Sequence, residues 1–249
     1  MNRILLEERR TDYRLPASDP RFAHARGVLC LRQGDVFDVG LVNGPVGKAT
    51  VGAVDQRQLS FAVEWGEVPP PPPEVHLLLG LCRPATVRKI LGTVPTLGAK
   101  SLTFVRSERS DPAYAKSSLW IDEGWRKPLR EGVEQAFDTW MPEVNLRPSL
   151  EEAFPQLPET GLRFALDIYE AEQPLGKAVV DAAPPVCLAL GPERGWSKAD
   201  RRRLRRAGFA LVDLPTRILR LETAVTAALT LVHEQRGERW SPPPRPPQP

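Results

Sequence analysis

Long apolar runs are missing from this 249-residue chain. None approaches the roughly 20 residues that a membrane-spanning helix needs. The sequence therefore reads as a soluble protein with no membrane partner. Cysteine is scarce: Cys30, Cys82 and Cys187 lie far apart in apolar contexts. That excludes a CxxC pair and a disulfide framework and points to buried thiols. Only three histidines are present, none paired at metal-ligand spacing, so no metal site is expected. Familiar catalytic signatures are absent too, with no GxGxxG and no GxSxG elbow. Gly92 to Ser101, GTVPTLGAKS, approaches a phosphate-binding GxxxxGK[ST] loop and fails it. The glycine spacing is one too long, and Ala99 separates Gly98 from Lys100. The start, MNRILLEERRTD, lacks the apolar core of a signal peptide and has acids that a transit peptide avoids. A cytoplasmic protein is the expectation.

What is present suits an ordinary folded chain, 41% hydrophobic and 26% charged. A net charge of +3 does not by itself call for nucleic acid. Distribution says more. Arginines gather at Arg3, Arg9, Arg10 and Arg14, and again at Arg201, Arg202, Arg203, Arg205 and Arg206. Guanidinium forks suit phosphate. The second cluster suits a solvated helix face equally well.

Residues 1–68 read as all-β. Phe22 to Leu29 is a short helix or turn. Asp35–Val42, Lys48–Val54 and Gln58–Trp65 are strands, with Asn43-Gly44 a hairpin signal. Short strands at close spacing suggest a small barrel. The run Pro69 to Pro73 is a polyproline spacer and the natural domain boundary. Strands and helices then alternate: Glu74–Leu81, a helix over Ala85–Leu97, Ser101–Val105, a long helix over Ser117–Ala136 broken or restarted at Pro128, and Arg163–Ile168. That alternation implies a mostly parallel sheet covered on both faces, filling a domain at 74–236. Residues 237–249, rich in proline, read as a disordered tail.

The most informative stretch is Val186–Leu231. Val186 to Leu190 is an apolar strand ended by Gly191-Pro192. Ser197 starts a helix, with Asp200 placed to close a capping box. Ala210–Leu214 is another strand, Pro215–Leu221 a loop, and Glu222–Glu234 an Ala-rich helix. Ligands of open α/β sheets bind where strands end and helix N-termini converge. The two loops are the candidate site.

LALGPERGWSKADRRRLRRAGF followed by LPTRILRLETAVTAAL resembles the RsmE family, bacterial uracil-N3 methyltransferases of small-subunit ribosomal RNA. The family pattern is approximately IGPEGGF, AGF and LGxRILRxETA. Looser likeness extends to Gly132–Ala136 with Met141–Glu143, to Thr96–Ala99, to His24–Leu29 and to Leu31–Asp35. The resemblance implies a PUA-like β-barrel followed by a SPOUT α/β domain with a trefoil knot. It also implies S-adenosyl-L-methionine as cofactor, 16S rRNA in the small ribosomal subunit as partner, and a homodimer. In that frame Leu166, Leu190, Gly191, Glu193, Gly195, Leu214, Leu219, Leu221, Glu222 and Thr223 bind the cofactor. Arg217, Arg220 and Glu193 are the catalytic candidates. Arg3, Arg9, Arg10, Arg14 and Arg26 are the RNA-binding ones.

Three residues depart from the pattern: Arg194 in GPERG, Asp138 where an arginine is expected, and Thr96 in place of an acid. The donor pocket looks retained and the substrate side altered. The rival readings are a catalytically silent or retargeted RNA-binding protein of ribosome assembly, and an enzyme acting on small acidic metabolites.

Overall fold

The structure, a computed structural model, describes residues 3–179 and 185–237. It divides into two units, Met1–Pro71 with Val133–Met141, and Pro72–Gly132 with Pro142–Pro249. The expected proline-rich tail lies outside the described residues beyond Gly237.

The first unit is a five-stranded sheet. Its strands are β1 (Ile4–Leu6), β2 (Asp12–Pro16), β3 (Val36–Leu41), β4 (Val46–Val54) and β5 (Gln58–Trp65), with α1 (Pro20–Gly27) after β2. The order is β1-β3-β4-β5-β2, with β1 parallel to β3 and the other pairs antiparallel. Burial alternates along β4 and β5 with the two-residue period of a one-faced sheet. The buried face carries Val39, Ala49, Val51, Leu59, Phe61 and Val63, joined by Phe22 and Ala25 of α1. A register shift between Val51 and Ala53 bends β4.

The sheet is a half-barrel rather than the closed barrel the sequence suggested: among the described residues no ladder joins β1 to β2. The free edge of β1 is occupied instead. The Arg3 amide donates to the Glu134 carbonyl (3.1 Å) and the Leu5 amide to Glu134 Oε1 (3.2 Å). Residues 133–141, assigned to the second domain from sequence, therefore belong with the first unit. They cover an edge that would otherwise present unpaired backbone groups. Thr139 Oγ1 donates to the Gly44 carbonyl (2.7 Å), and Asn43 Oδ1 accepts from the Met141 amide (2.8 Å).

The second unit is a seven-stranded sheet, parallel in every pair. Its elements are β6 (Val75–Gly80), α2 (Pro84–Leu97), β7 (Ser101–Val105), α3 (Ser118–Ile121), α4 (Arg126–Gln135, whose end enters the first unit), β8 (Glu143–Arg147), α5 (Leu150–Ala153), β9 (Leu162–Leu166), β10 (Gln173–Pro174), α6 (Leu175–Ala178), β11 (Val186–Leu190), α7 (Lys198–Arg206), β12 (Ala210–Asp213) and α8 (Leu221–Arg236). The strand order is β10-β12-β9-β11-β6-β7-β8. Every residue of β6, β7 and β11 is buried, as a sheet covered on both faces requires. One face packs Leu78, Val105, Ala189 and Leu211 against Leu150, Trp196, Leu204 and Phe209. Side chains alternate along a strand. Leu77, Leu79 and Leu188 therefore point to the opposite face, where α8 packs on β11 and α2.

Three local expectations change. The long helix over 117–136 is two helices. The break falls at Asp122–Trp125, where Glu123 has φ 53°, and not at Pro128. Pro128 sits in the first turn of α4, where a missing N–H removes no helical hydrogen bond. The strand expected to run to Ile168 stops at Leu166, because Asp167 turns the chain. Its Oδ1 accepts from the amides of Tyr169 and Glu170 (both 2.8 Å). The edge strands β8 and β10 were not foreseen at all.

Candidate functional site

The register aligns the ends of the central strands. Leu190 pairs with Leu79 of β6 and Leu166 of β9, and Leu166 pairs with Val212 of β12. Leu166, Leu190 and Leu214, expected to bind one ligand, therefore stand along a single edge of the sheet. Leu190 is buried, whereas Leu166 and Leu214 are half-buried.

The loop after β11 is packed to its limit. A Cβ on Gly191 would lie 2.9 Å from the Trp196 nitrogen and 2.8 Å from the Gly195 carbonyl carbon. Gly195 has φ 68°, and its amide donates to the Pro192 carbonyl (2.7 Å), closing the turn. A left-handed residue in so tight a turn favours glycine. Gly80, which the sequence reading did not single out, faces the same loop: a Cβ there would lie 2.3 Å from Pro192 Cδ. Glycine closes the apolar run of β6 and follows that of β11, and that shared pattern was the available signal. The result is a glycine cradle in which the turn's own backbone and Pro192 fill the space beside Gly80 and Gly191.

Glu193 is engaged with the protein. Its Oε1 accepts from the Arg83 amide (2.9 Å) and from Thr86 Oγ1 (3.5 Å). Arg83 is the N-cap of α2 and makes no side-chain cap of its own. Glu193 therefore supplies, from another loop, the acceptor that the helix lacks. Arg194 is exposed, and its carbonyl accepts from Arg109 Nη1 (2.7 Å). Trp196, fully buried, anchors the loop's far end. Ser197 and Asp200 then form the expected capping box of α7.

The opposite loop is open. Arg217, Ile218 and Arg220 are exposed, Ile218 at 82%, and Leu219 is half-buried. Leu221 begins α8 and is buried. Arg220 is the N-cap, and Thr223, one possible cap, is exposed and does not serve as one. Glu222 pairs with Lys89 of α2 (3.0 Å). A backbone hydrogen bond, and then Lys89, hold its carboxyl below the usual carboxylate range. The Glu222 carboxylate thus joins two helices, a contact that explains its place without a ligand.

A buried ion pair supports the edge from beneath. Asp167 Oδ2 accepts from Arg201 Nε at 2.6 Å, with the two side chains 3% and 8% exposed. Arg201 also stacks over Tyr169. The signal was a lone acid at the end of an apolar strand. Burial likewise raises both core thiols, Cys82 strongly and Cys187 to about 11, so both are protonated and inert at neutral pH.

Exposed arginines ring this edge. Arg83 follows β6, Arg106 and Arg109 follow β7, Arg194 follows β11, and Arg217 and Arg220 follow β12. In the first unit Arg9, Arg14 and Arg26 are exposed, and Arg10 is exposed but paired with Glu8. Arg3 contradicts its assignment to RNA. It is 6% exposed, donates to the Phe137 carbonyl and lies over the Phe137 ring. The other departures are structural as well. Asp138 Oδ1 accepts from the Thr139 and Trp140 amides, and Thr96 Oγ1 donates to the Thr93 carbonyl.

The parallel sheet brings a glycine cradle and an arginine rim to one edge, and the family described as RNA methyltransferase domain matches residues 69–233. The chain is 31% identical to ribosomal RNA small subunit methyltransferase E of Treponema pallidum over 243 residues, 93% of this chain and 90% of that one. It is 25% identical to the Bacillus subtilis protein of that name over 226 residues, 85% and 86% of the two chains. Its fold is similar to that of the Neisseria gonorrhoeae methyltransferase E solved with S-adenosyl methionine. There the TM-score is 0.79 at 21% identity, covering 94% of this chain and 97% of that one. This chain belongs to the RsmE family of RNA methyltransferases.

Proposed function

We propose that this protein transfers a methyl group from S-adenosylmethionine to N3 of a uracil in 16S ribosomal RNA. One observation carries the reading: the glycine cradle and the arginine rim share one sheet edge. The cradle residues fit an adenosine group. Gly80 and Gly191 let the turn close tightly on the strand ends, Gly195 faces open space, and the half-buried Leu166 and Leu214 give the edge apolar surface beside the buried Leu190. When bound, S-adenosylmethionine supplies an electrophilic methyl group. The protein's task is then orientation plus help with one proton. Arg217 and Arg220, exposed and flanking the cradle, are placed to hold a uracil oxygen or phosphate and to stabilise charge on the ring as N3 loses its proton. Glu193 acts indirectly, by fixing the loop to α2.

The same proposal includes the SPOUT knot, a PUA-like N-terminal unit that meets RNA through Arg9, Arg10, Arg14 and Arg26, and a homodimer. Ile218 at 82% exposure and Tyr169 at 72% are apolar groups on the ligand edge that a second copy would cover.

Nucleoside analysis of 16S rRNA from cells lacking the gene tests the position. Loss of one 3-methyluridine, restored by the wild-type gene, supports it. A different missing base keeps the class and overturns the position. Calorimetry that finds no S-adenosylmethionine binding at millimolar cofactor overturns the enzyme reading in favour of a silent RNA-binding protein.

A further inference from the structure

Six of the nine residues of α7 are cationic: Lys198, Arg201, Arg202, Arg203, Arg205 and Arg206. Three are engaged by carboxylates. Arg201 pairs with Asp167 (2.6 Å), Arg203 with Glu108 and Glu151 (both 2.9 Å), and Arg205 with Glu170 (2.7 Å). The other three are exposed, and no described residue forms an ion pair with Lys198, Arg202 or Arg206. The Glu108 carboxyl is held below its usual range first by Ser197 and Arg203, with Arg202 the smallest contributor.

The three free cations stand four residues apart. They share one helix face at steps of about 6 Å. Like charges at that spacing repel, and an anion must offset them if the face is to be favourable. Arg202 and Arg206 line, with Ala199 and Arg203, an open cleft of about 190 Å³. Guanidinium forks around such a cleft suit a phosphate group. The helix begins directly after the Gly191–Trp196 loop, so the stripe starts at the ligand edge and runs about 12 Å away from it.

We infer that Lys198, Arg202 and Arg206 form a phosphate-gripping stripe for the RNA backbone flanking the target nucleotide. This rests on the ribosomal RNA reading above. The face exposes no aromatic or large apolar group. It therefore engages backbone and not bases, and its contribution is independent of sequence and sensitive to salt.

The test compares wild type with a K198Q/R202Q/R206Q variant, binding transcribed 16S rRNA over a range of salt concentrations. Wild type is measured first. The variant should bind at least tenfold more weakly at about 0.1 M salt, and its log–log salt slope should fall by about 2 to 3, close to one per lost phosphate contact. S-adenosylmethionine affinity and the melting temperature should be unchanged or higher. If the triple variant does not fold, single R202Q and R206Q variants should each lower the slope by about 1. Equal affinity and slope in wild type and variants would make the stripe a solvated helix face and leave the methyltransferase reading intact. Wild type that binds no RNA would overturn both.

Discussion

Gly191 has no room for a methyl group. A Cβ there would come within 3 Å of three backbone atoms of the same loop. Gly191→Ala should destabilise the fold by about 1–3 kcal/mol, the usual range for overpacking, and should abolish S-adenosylmethionine binding in calorimetry. An alanine variant that binds the donor normally would remove the cradle from the site. Glu193 separates two roles. If it serves α2, Glu193→Gln keeps an acceptor for the Arg83 amide and should retain most activity. Glu193→Ala should lose about 1 kcal/mol of stability, read by urea denaturation, with kcat falling less than tenfold. A loss of a hundredfold or more in the glutamine variant would make the negative charge itself catalytic. Asp167 and Arg201 form a buried pair, and Arg201 also reaches the partly exposed Glu170 at 3.5 Å. Arg201→Met leaves the buried Asp167 carboxylate without its cation and should cost about 3–5 kcal/mol, measured by chemical denaturation.

Among the elements, β6 and β7 carry a titrating contact between their N-terminal ends. His76 Nδ1 meets Ser101 Oγ at 2.8 Å, and Nε2 meets Glu74 at 3.3 Å. Burial holds the imidazole below its ordinary 6.5, and Glu74 and Glu143 only partly oppose that. The folded state therefore prefers the neutral ring, and the unfolded chain takes up the proton first as pH falls. Stability should be full above about pH 6.5 and decline below it. Glu74, held low by Lys100, contributes only in the more acidic carboxylate range. Urea midpoints at about pH 7.5 and 5.5 should differ in wild type and differ less in His76→Gln; an equal difference in both would assign the pH effect elsewhere. Elements with strong local patterning were legible in sequence. The apolar runs of β6, β7 and β11 and the Ser197–Asp200 cap of α7 are examples. Short edge strands such as β10, two residues long, carry no periodicity to read. The half-barrel edge was also invisible, because Glu134 reaches β1 from 129 residues away in the chain.

For the molecule as a whole, the ligand edge was legible because two motifs follow β11 and β12, strands that flank β9 and end at the same edge of the sheet. Separating its residues was not. Arg3 was assigned to RNA, Glu222 to the cofactor, and the α7 arginines to phosphate or a solvated face, and Arg3, Glu222 and three of those arginines are engaged by the protein's own groups. A side chain's partner lies far off in sequence, and composition does not encode it. The exposed cations available to the proposed RNA contact are then the rim at Arg83, Arg106, Arg109, Arg194, Arg217 and Arg220, the α7 stripe, and Arg9, Arg14 and Arg26 on the first unit. The most direct test is transfer of labelled methyl from S-adenosylmethionine to small ribosomal subunits isolated from cells lacking the gene. Wild type should place one methyl group per subunit at N3 of a single uracil of 16S rRNA, and Arg220→Ala should slow that transfer a hundredfold or more. A folded wild-type protein that binds the donor yet leaves every 16S nucleotide unmethylated would contradict the assignment.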